Sequence, residues 1–262
     1  MNLLIPIDFS KNALNAARFA FTNYPGSNFT LLNIVHSKQA GAIMAVNINQ
    51  DLKVVHQGKM TKTIVDFKND FQNLNITGKV EIGLFAETII EEIENTSADI
   101  IVLGTNGSNR MDEVLFGSNA YLAIKNSSVP LIIIPENYDL KPPKKILLAS
   151  DFEGNISNET AQPLLDFINR FGAEIHVLHI SRPDQINKVK ARINSTLDNE
   201  IHKFHIIASD DVINDIITYA KKHDFDFLAL APKYRGIIKN LFHKSVTKQV
   251  SALAKCPIFI MK

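Results

Sequence analysis

The chain presents the same order of apolar segments twice, and this repeat limits its fold more than any other feature. Three pairs of segments carry the repeat: LLIPIDFS and ILLASDFE (3–10, 146–153), ADIIVLG and FDFLALA (98–104, 225–231), VPLIII and CPIFIM (129–134, 256–261). At 262 residues the chain is long enough for two ordinary domains. We therefore predict two domains of one fold, at 1–138 and 144–262, with the Pro- and Lys-rich segment 135–145 as linker.

Short apolar runs alternate with helical patterns in each copy. The predicted strands are 2–7, 29–35, 78–82, 99–103 and 129–134, then 145–150, 174–180, 203–208, 226–230 and 257–261. The predicted helices of the first copy run from a Ser10 cap to about Asn23 and over 51–71, 86–95 and 118–126, and one in the second copy starts at Ser209. Strands that are apolar throughout are typical of a parallel sheet covered by helices on both faces. The pattern predicts two tandem doubly wound α/β domains.

The first copy has the longer middle, because its later segments lie 127 residues from their counterparts whereas Asp8 lies 143 residues from Asp151. The segment 38–58 is the predicted insert. Its Gly, Ala and Met content permits mobility, and one interpretation is a lid over a ligand cleft.

The segment GTNGSNRMDEVLFGSNA, residues 104–120, follows the fourth predicted strand. Ligands in doubly wound sheets lie at the carboxyl ends of strands where the chain order reverses, and Asp8 ends the first strand at that edge. The three glycines can adopt positive φ and let backbone N–H groups approach a phosphate. Ser118 and Asn119 then begin a helix whose free N–H groups and dipole favour an anion. The glycines alone leave two interpretations open, a nucleotide site and an ordinary turn.

The wider context of this segment resembles the universal stress protein family, in its ATP-binding branch. The family signature G-x2-G-x9-G-[S/T] is met, with its spacing, by Gly104, Gly107, Gly117 and Ser118. The flanking DIIVLG and VPLIIIP strands and the first-strand PIDFS match as well. Where the family usually has His-Val after the second strand, this chain has Asn33 and Ile34. The resemblance extends over both copies and implies a tandem member with Rossmann-like, adenine nucleotide alpha hydrolase-like domains.

The resemblance implies a site for an adenine nucleotide, ATP or else AMP or ADP, with or without Mg²⁺. The residues implied are Pro6, Ile7, Asp8 and Ile34 near the adenine, Gly104 and Thr105 near the ribose, and Gly107, Gly117, Ser118 and Asn119 against the phosphates. For Asp8 the alternative is a carboxylate that accepts hydrogen bonds from local N–H groups at the start of a helix. Arg110 is either a γ-phosphate ligand or a solvated loop charge.

The second copy departs from the signature. At the offset of 127 residues its counterparts are Ala231, Tyr234, Lys244 and Ser245, so three of the four positions are lost, although Asp151 remains. Positive φ is costly for Tyr or Lys. We expect one nucleotide site, in the first copy, and a structural or regulatory second domain.

Composition excludes several other classes of protein. A net charge of +1 does not favour nucleic-acid or membrane partners, and the single cysteine excludes an internal disulfide and C-x-x-C sites. The spacing of His176, His179, His202 and His205 predicts no metal site, and no catalytic constellation is found. The absence of a leader or membrane-spanning pattern gives a cytoplasmic location as the expectation.

Three functions compete. The leading hypothesis is an adenine-nucleotide-binding regulatory protein of the stress response; the alternatives are a slow ATPase or self-phosphorylating protein and a nucleotide-free scaffold. Members of the family typically pair through the fifth strand, so the resemblance implies that VPLIII and CPIFIM pair antiparallel within one chain as a pseudo-dimer, with further homodimers an open question.

Overall fold

The computed structural model describes residues 1–36, 42–105, 117–149, 158–181, 201–208, 212–230 and 256–262. Of these residues, those up to Leu140 form one compact unit and those from Lys141 form another. The predicted domain limits at 138 and 144 lie on either side of this point.

The first unit alternates strands with helices. Its elements are β1 (Asn2–Pro6), α1 (Lys11–Asn23), β2 (Asn28–Val35), α2 (Ala42–Asp70), β3 (Asn75–Ile82), α3 (Phe85–Thr96), β4 (Ile100–Gly104), α4 (Ser118–Asn126) and β5 (Leu131–Ile134). The strands pair in parallel in the order β3-β2-β1-β4-β5. This is the doubly wound α/β fold predicted from the sequence.

β1 is the central strand of this sheet. It pairs with β2 on one side, where Leu4 is opposite Thr30, and with β4 on the other, where Leu4 is opposite Ile101. Leu4 and Ile5 are fully buried, because helices cover both faces of the sheet. The chain order reverses between β1 and β4, which is where a doubly wound sheet opens a crevice at its carboxyl edge.

Helix boundaries lie within one residue of the predicted ones at three of the four helices, including α3, predicted at 86–95. Ser10 caps α1 by accepting a hydrogen bond from the Ala13 N–H at 3.3 Å, and α4 runs from Ser118 to Asn126 as predicted. α2 differs, since it begins at Ala42 rather than at Asp51. Ala and Met are strong helix formers, so most of the predicted insert is helical, whereas residues 37–41 lie outside the described residues.

One contact packs α2 on the sheet and another packs it against α1. A Cβ at Gly78 of β3 would lie 2.5 Å from Cγ of the buried Met60, so glycine lets α2 approach the strand closely. Further along α2, Phe67 packs edge-to-face against Phe21 of α1, with ring centroids 4.9 Å apart. Phe21 also packs edge-to-face against Phe29 of β2, at 4.8 Å.

The second unit has the same strand order as the first. Its described elements are β6 (Lys145–Ala149), α5 (Asn158–Phe171), β7 (Glu174–Ser181), β8 (Ile201–Ala208), α6 (Val212–Lys222), β9 (Phe227–Leu230) and β10 (Ile258–Ile260), with parallel strands in the order β10-β9-β6-β7-β8. Ser209 lies outside the described residues. No helix in the described part of the chain is both long and apolar enough to cross a bilayer.

Two histidines share a hydrogen bond across β7 and β8 in the second unit. Nε2 of the buried His176 donates to Glu174 at 2.7 Å, so Nδ1 of neutral His176 accepts from Nε2 of His205 at 3.2 Å. Burial lowers the pKa of His205 below its ordinary value of 6.5, and the charges of His176 and His223 lower that pKa further. Burial also lowers the pKa of His176, although Glu174 opposes the change.

These lowered pKa values predict that acid weakens the second unit. Since the unfolded chain binds more protons than the folded one, the stabilisation is complete above about pH 6.5 and is lost as the pH falls toward the lowered pKa values. In His205→Gln an amide can still donate to His176 without titrating. We expect hydrogen exchange of β7 and β8 amides, corrected for intrinsic rates, to accelerate less between about pH 7.5 and 5.5 in this variant than in the wild type. His36→Gln, in the first unit, is the control, and equal acceleration in all three proteins would contradict the prediction.

Candidate functional site

Nine of the ten residues predicted for the site line one cavity of the first unit. This cavity has a volume of about 350 Å³ and lies at the carboxyl ends of β1, β2 and β4. The nine are Pro6, Ile7, Asp8, Ile34, Gly104, Thr105, Gly117, Ser118 and Asn119. The tenth, Gly107, lies outside the described residues, as does Arg110. The volume falls in the range of small-ligand sites, ~300–1,000 Å³.

The start of α4 forms the wall of the cavity beside β4. Gly117 occupies the N-cap position and supplies no side-chain cap, and Ser118, Asn119 and Ala120 follow it along the cavity. The first N–H groups of a helix have no partner within the helix, and the helix dipole places partial positive charge there. This wall therefore suits an anion.

The backbone at the two described signature glycines corrects the sequence argument. Positive φ was expected at Gly104 and Gly117, but Gly117 has φ −62 and Gly104 is not among the residues with positive φ. The N–H of Gly117 was also expected to meet phosphate, yet it donates to the Thr105 carbonyl at 2.6 Å. That bond joins the end of β4 to the start of α4.

Close packing, rather than backbone conformation, explains the glycine at the end of β4. A Cβ at Gly104 would lie 2.8 Å from Oδ1 of Asn12, a buried side chain of α1. Nδ2 of Asn12 donates to Thr105 Oγ1 at 3.1 Å, which holds Thr105 beside the cavity. Sequence reasoning did not identify Asn12, because one polar residue in the first turn of a helix carries no signal of a contact 93 residues away.

The turn after β1 gives Asp8 two roles. Its Oδ1 accepts a hydrogen bond from the Ser10 N–H at 3.0 Å, as the alternative interpretation expected, and the residue also lines the cavity. Between them Phe9 has φ 64, which costs a non-glycine residue ~1–3 kcal/mol. The turn beside the cavity thus has positive φ at Phe9, whereas Gly104 and Gly117 do not, and Gly107 lies outside the described residues.

The wall of the cavity beside β2 contains a hydrogen-bonded pair that sequence reasoning missed. Nδ2 of Asn33 donates to the Ile7 carbonyl at 2.7 Å, and Oδ1 of the same amide lies 2.7 Å from Nδ1 of His56 on α2. Asn33 is 3% exposed. The only signal was the polar Asn33 inside an apolar strand, and no signal distinguished His56 from the other polar residues of α2.

The corresponding site of the second copy lies outside the described residues. This applies to Asp151, Ala231, Tyr234, Lys244 and Ser245. The degenerate second site therefore stays a prediction from the sequence.

The contact between Gly104 and Asn12 predicts the effect of adding one methyl group. Gly104→Ala forces that methyl group against the amide, and we expect the free energy of unfolding to fall by about 1–3 kcal/mol in chemical denaturation. The control is Gly58→Ala, in α2, where an added Cβ meets nothing within 4 Å and helix propensity should raise stability by ~0.5–1 kcal/mol. Adding Asn12→Ala to Gly104→Ala should recover part of the loss. Strictly additive losses in the double variant would contradict the contact.

Comparison with known proteins identifies relatives of part of the chain and a structure similar to the whole chain. A universal stress protein of Methanocaldococcus jannaschii is 23% identical over 150 residues, which cover 50% of this chain and 93% of the relative. The stress response protein NhaX of Bacillus subtilis is 28% identical over 83 residues, covering 31% of this chain and 50% of that protein. A crystal structure of a universal stress protein from Archaeoglobus fulgidus aligns over 100% of this chain and 98% of its own, with a TM-score of 0.70 at 16% identity, which shows a shared fold.

A family model, described as the universal stress protein family, matches residues 1–135. The match extends from β1 to β5 and so includes every strand that borders the cavity. The chain belongs to the universal stress protein family.

Proposed function

We propose that the first unit binds an adenine nucleotide in this cavity and that the protein is a nucleotide-binding regulator of a stress response. One observation carries the proposal. The start of α4, which has no side-chain cap, and the carboxyl ends of β1, β2 and β4 all border one cavity of about 350 Å³. ATP is the nucleotide we favour, with AMP and ADP as the alternatives.

The phosphate end of the cavity is the start of α4. Backbone N–H groups of Ser118, Asn119 and Ala120 would hold the anion, and the Ser118 hydroxyl and Asn119 amide add neutral donors. Thr105, 5% exposed and fixed by Asn12, supports a ribose position next to β4. In this proposal Gly117 leaves the cavity wall free of a side chain and does not bind phosphate through its N–H, which already donates to the Thr105 carbonyl.

The base end of the cavity lies across β1, beside β2. Leu32, Val35 and the buried Phe85 line it together with Ile34. The apolar side chains suit the faces of a base, and the backbone of Ile34 suits its polar edge. Asp8 supports either a base contact or, with Mg²⁺ bound, a role near the metal's water shell.

The cavity supports binding better than turnover. Among the described residues that line it, Asp8 is the only carboxylate, and no lysine or arginine lines it. Phosphoryl transfer depends on metal-holding carboxylates and cationic groups around the transferred phosphate. We therefore favour a binding protein over an ATPase, and ATP consumption above that of a cavity-blocked variant would favour the enzyme instead.

A single substitution tests the nucleotide site against the nucleotide-free scaffold. Gly117→Glu places a negative side chain on the cavity wall, at a residue whose φ of −62 accommodates any side chain. Isothermal titration should show binding of ATP or AMP to the wild type and at least tenfold weaker binding to the variant, about 1.4 kcal/mol. Gly58→Glu, in the interior of α2 and facing open space, should bind like the wild type. If the wild type shows neither binding heat nor a thermal shift, the nucleotide-free scaffold becomes the favoured function.

We further propose that the protein carries one such site and acts in the cytoplasm. The support for one site is the sequence of the second copy, in which three of the four signature positions are changed. A crystal structure with nucleotide in both units would contradict it.

The predicted pairing of strands 129–134 and 256–261 also has a consequence in solution. Long apolar edge strands need covering, and a chain that covers its own strands can remain monomeric. Light scattering after gel filtration should give the mass of one chain for at least part of the material. Exclusively larger species would count against pairing within the chain.

A further inference from the structure

His56 stands at the base end of the cavity although it belongs to the middle of α2. Asn33, which accepts its hydrogen bond, lies on β2, and β1 separates β2 from β4 and from the phosphate-binding start of α4. A nucleotide whose phosphate lies at α4 therefore extends its base toward His56. The following inference rests on the proposed function and assigns the chemistry that recognises the base.

The hydrogen bonds around Asn33 define which imidazole nitrogen carries the proton. Because the Asn33 amide nitrogen donates to the Ile7 carbonyl, its oxygen is the atom 2.7 Å from Nδ1 of His56. An amide oxygen can only accept, so Nδ1 must be protonated. In a neutral ring Nε2 then carries the lone pair, and the hydrogen bonds within the described residues leave Nε2 without a partner.

Two further contacts hold the ring in place. The strained Phe9 places its ring 5.9 Å from the imidazole, centroid to centroid. On the same helix Met60 is buried against Gly78, so α2 cannot shift away from the sheet at this point without losing packing. His56 is thus a positioned group with one free acceptor, Nε2, on a ring that lines the cavity.

We infer that His56 is a specificity-determining residue whose Nε2 accepts a hydrogen bond from the base and thereby selects a 6-aminopurine over a 6-oxopurine. Adenine has an amino group at position 6, which donates, whereas hypoxanthine and guanine have a carbonyl oxygen there, which accepts. Two acceptors placed together leave both groups unsatisfied, which is costly inside a partly buried site. Protonation of Nε2 reverses the preference, because the ring then offers a donor on both nitrogens.

Burial and one neighbouring charge both favour the neutral ring of His56. Burial lowers its pKa below 6.5, and Lys59 on the next turn of α2 lowers it further. Of the other charged or titratable groups nearby, Lys53 is paired with Glu81 of β3 at 3.3 Å, while Asp8 and His36 line the same cavity.

The tautomer can be measured without any nucleotide. Nitrogen-15 spectra of the full chain should show His56 as a neutral ring protonated at Nδ1 near neutral pH. A ring protonated at Nε2 alone would overturn the inference, since no acceptor would then meet the base.

Base selection is tested with AMP and inosine monophosphate, because the two share the same phosphate and its titration cancels in the ratio of their affinities. We expect the wild type to prefer AMP by about threefold to tenfold at about pH 7.5 and to lose that preference at a second pH below the lowered pKa of His56, which the nitrogen-15 titration locates. In His56→Asn the side-chain amide takes the place of Nδ1 and can still donate to Asn33, but no Nε2 remains. The ratio of AMP affinity to inosine monophosphate affinity should be lower in His56→Asn than in the wild type at about pH 7.5. In the variant this ratio should also be the same at both pH values. A pH-independent ratio in the wild type, or an unchanged ratio in the variant, would overturn the inference.

A matched pair of exposed lysines separates a direct role of His56 from a structural one. Lys59→Gln should raise the pKa of His56 and shift the loss of AMP preference to higher pH, while leaving the ratio above that transition unchanged. Lys62→Gln, the same substitution one turn further on, should behave like the wild type. If nitrogen-15 titration shows that Lys59→Gln raises the pKa of His56, identical pH profiles of the affinity ratio in all three proteins would contradict the assignment, even if His56→Asn failed to fold.

These outcomes distinguish the inference from the proposed function. Binding of AMP with no dependence on His56 would remove the inference and leave the nucleotide site. Failure of the wild type to bind either nucleotide would remove both.

Discussion

The parallel pairing of β1 with a strand on each side is the constraint on which the rest of the first unit depends. Each neighbour must be reached by a helical crossover, and the chain order reverses between β1 and β4. No covering element is required over the carboxyl ends at that reversal, so the ends of β1, β2 and β4 and the start of α4 meet around one cavity. The site is a result of topology before it is a result of any single side chain.

Apolar runs and caps were sufficient to predict much of this frame. Ser10, followed by an alanine- and phenylalanine-rich stretch, indicated where α1 begins, and the continuous apolar runs indicated parallel strands, because such strands are covered on both faces. Because parallel strands end at the same edge of a sheet, Asp8 and Gly104 could also be predicted to lie near each other. The start of α2 was predicted nine residues too late, at Asp51 rather than at Ala42, because the alanines and methionine before Asp51 favour a helix but were interpreted as a sign of mobility.

Long-range side-chain contacts were beyond the sequence argument, and they change the physical role of the glycines. Gly104 makes room for Asn12 of α1. The need for glycine at this position is therefore evident only from the structure, in which the two residues are in contact. The positive φ expected at Gly104 and Gly117 is absent there, while Phe9, for which sequence statistics give no warning, has φ 64. Likewise His56 meets Asn33 on a helix that packs closely on the sheet, where Gly78 leaves room for Met60. Each of these contacts joins segments that no repeat or period connects.

The two ends of the cavity differ in the kind of group they offer. At α4 the groups are backbone N–H donors and neutral side chains, none of which changes charge over the physiological range of pH, so any pH response of phosphate binding there comes from the phosphate itself. At the end beside β2 the group is the imidazole of His56, on α2, whose Nε2 is an acceptor when the ring is neutral and a donor when it is protonated. If His56 contacts the base, acid therefore alters which base is preferred before it alters whether a phosphate is held. In this proposal strand order separates the two functions, because β1 lies between β4, which leads to the proposed anion-binding start of α4, and β2, whose Asn33 contacts His56.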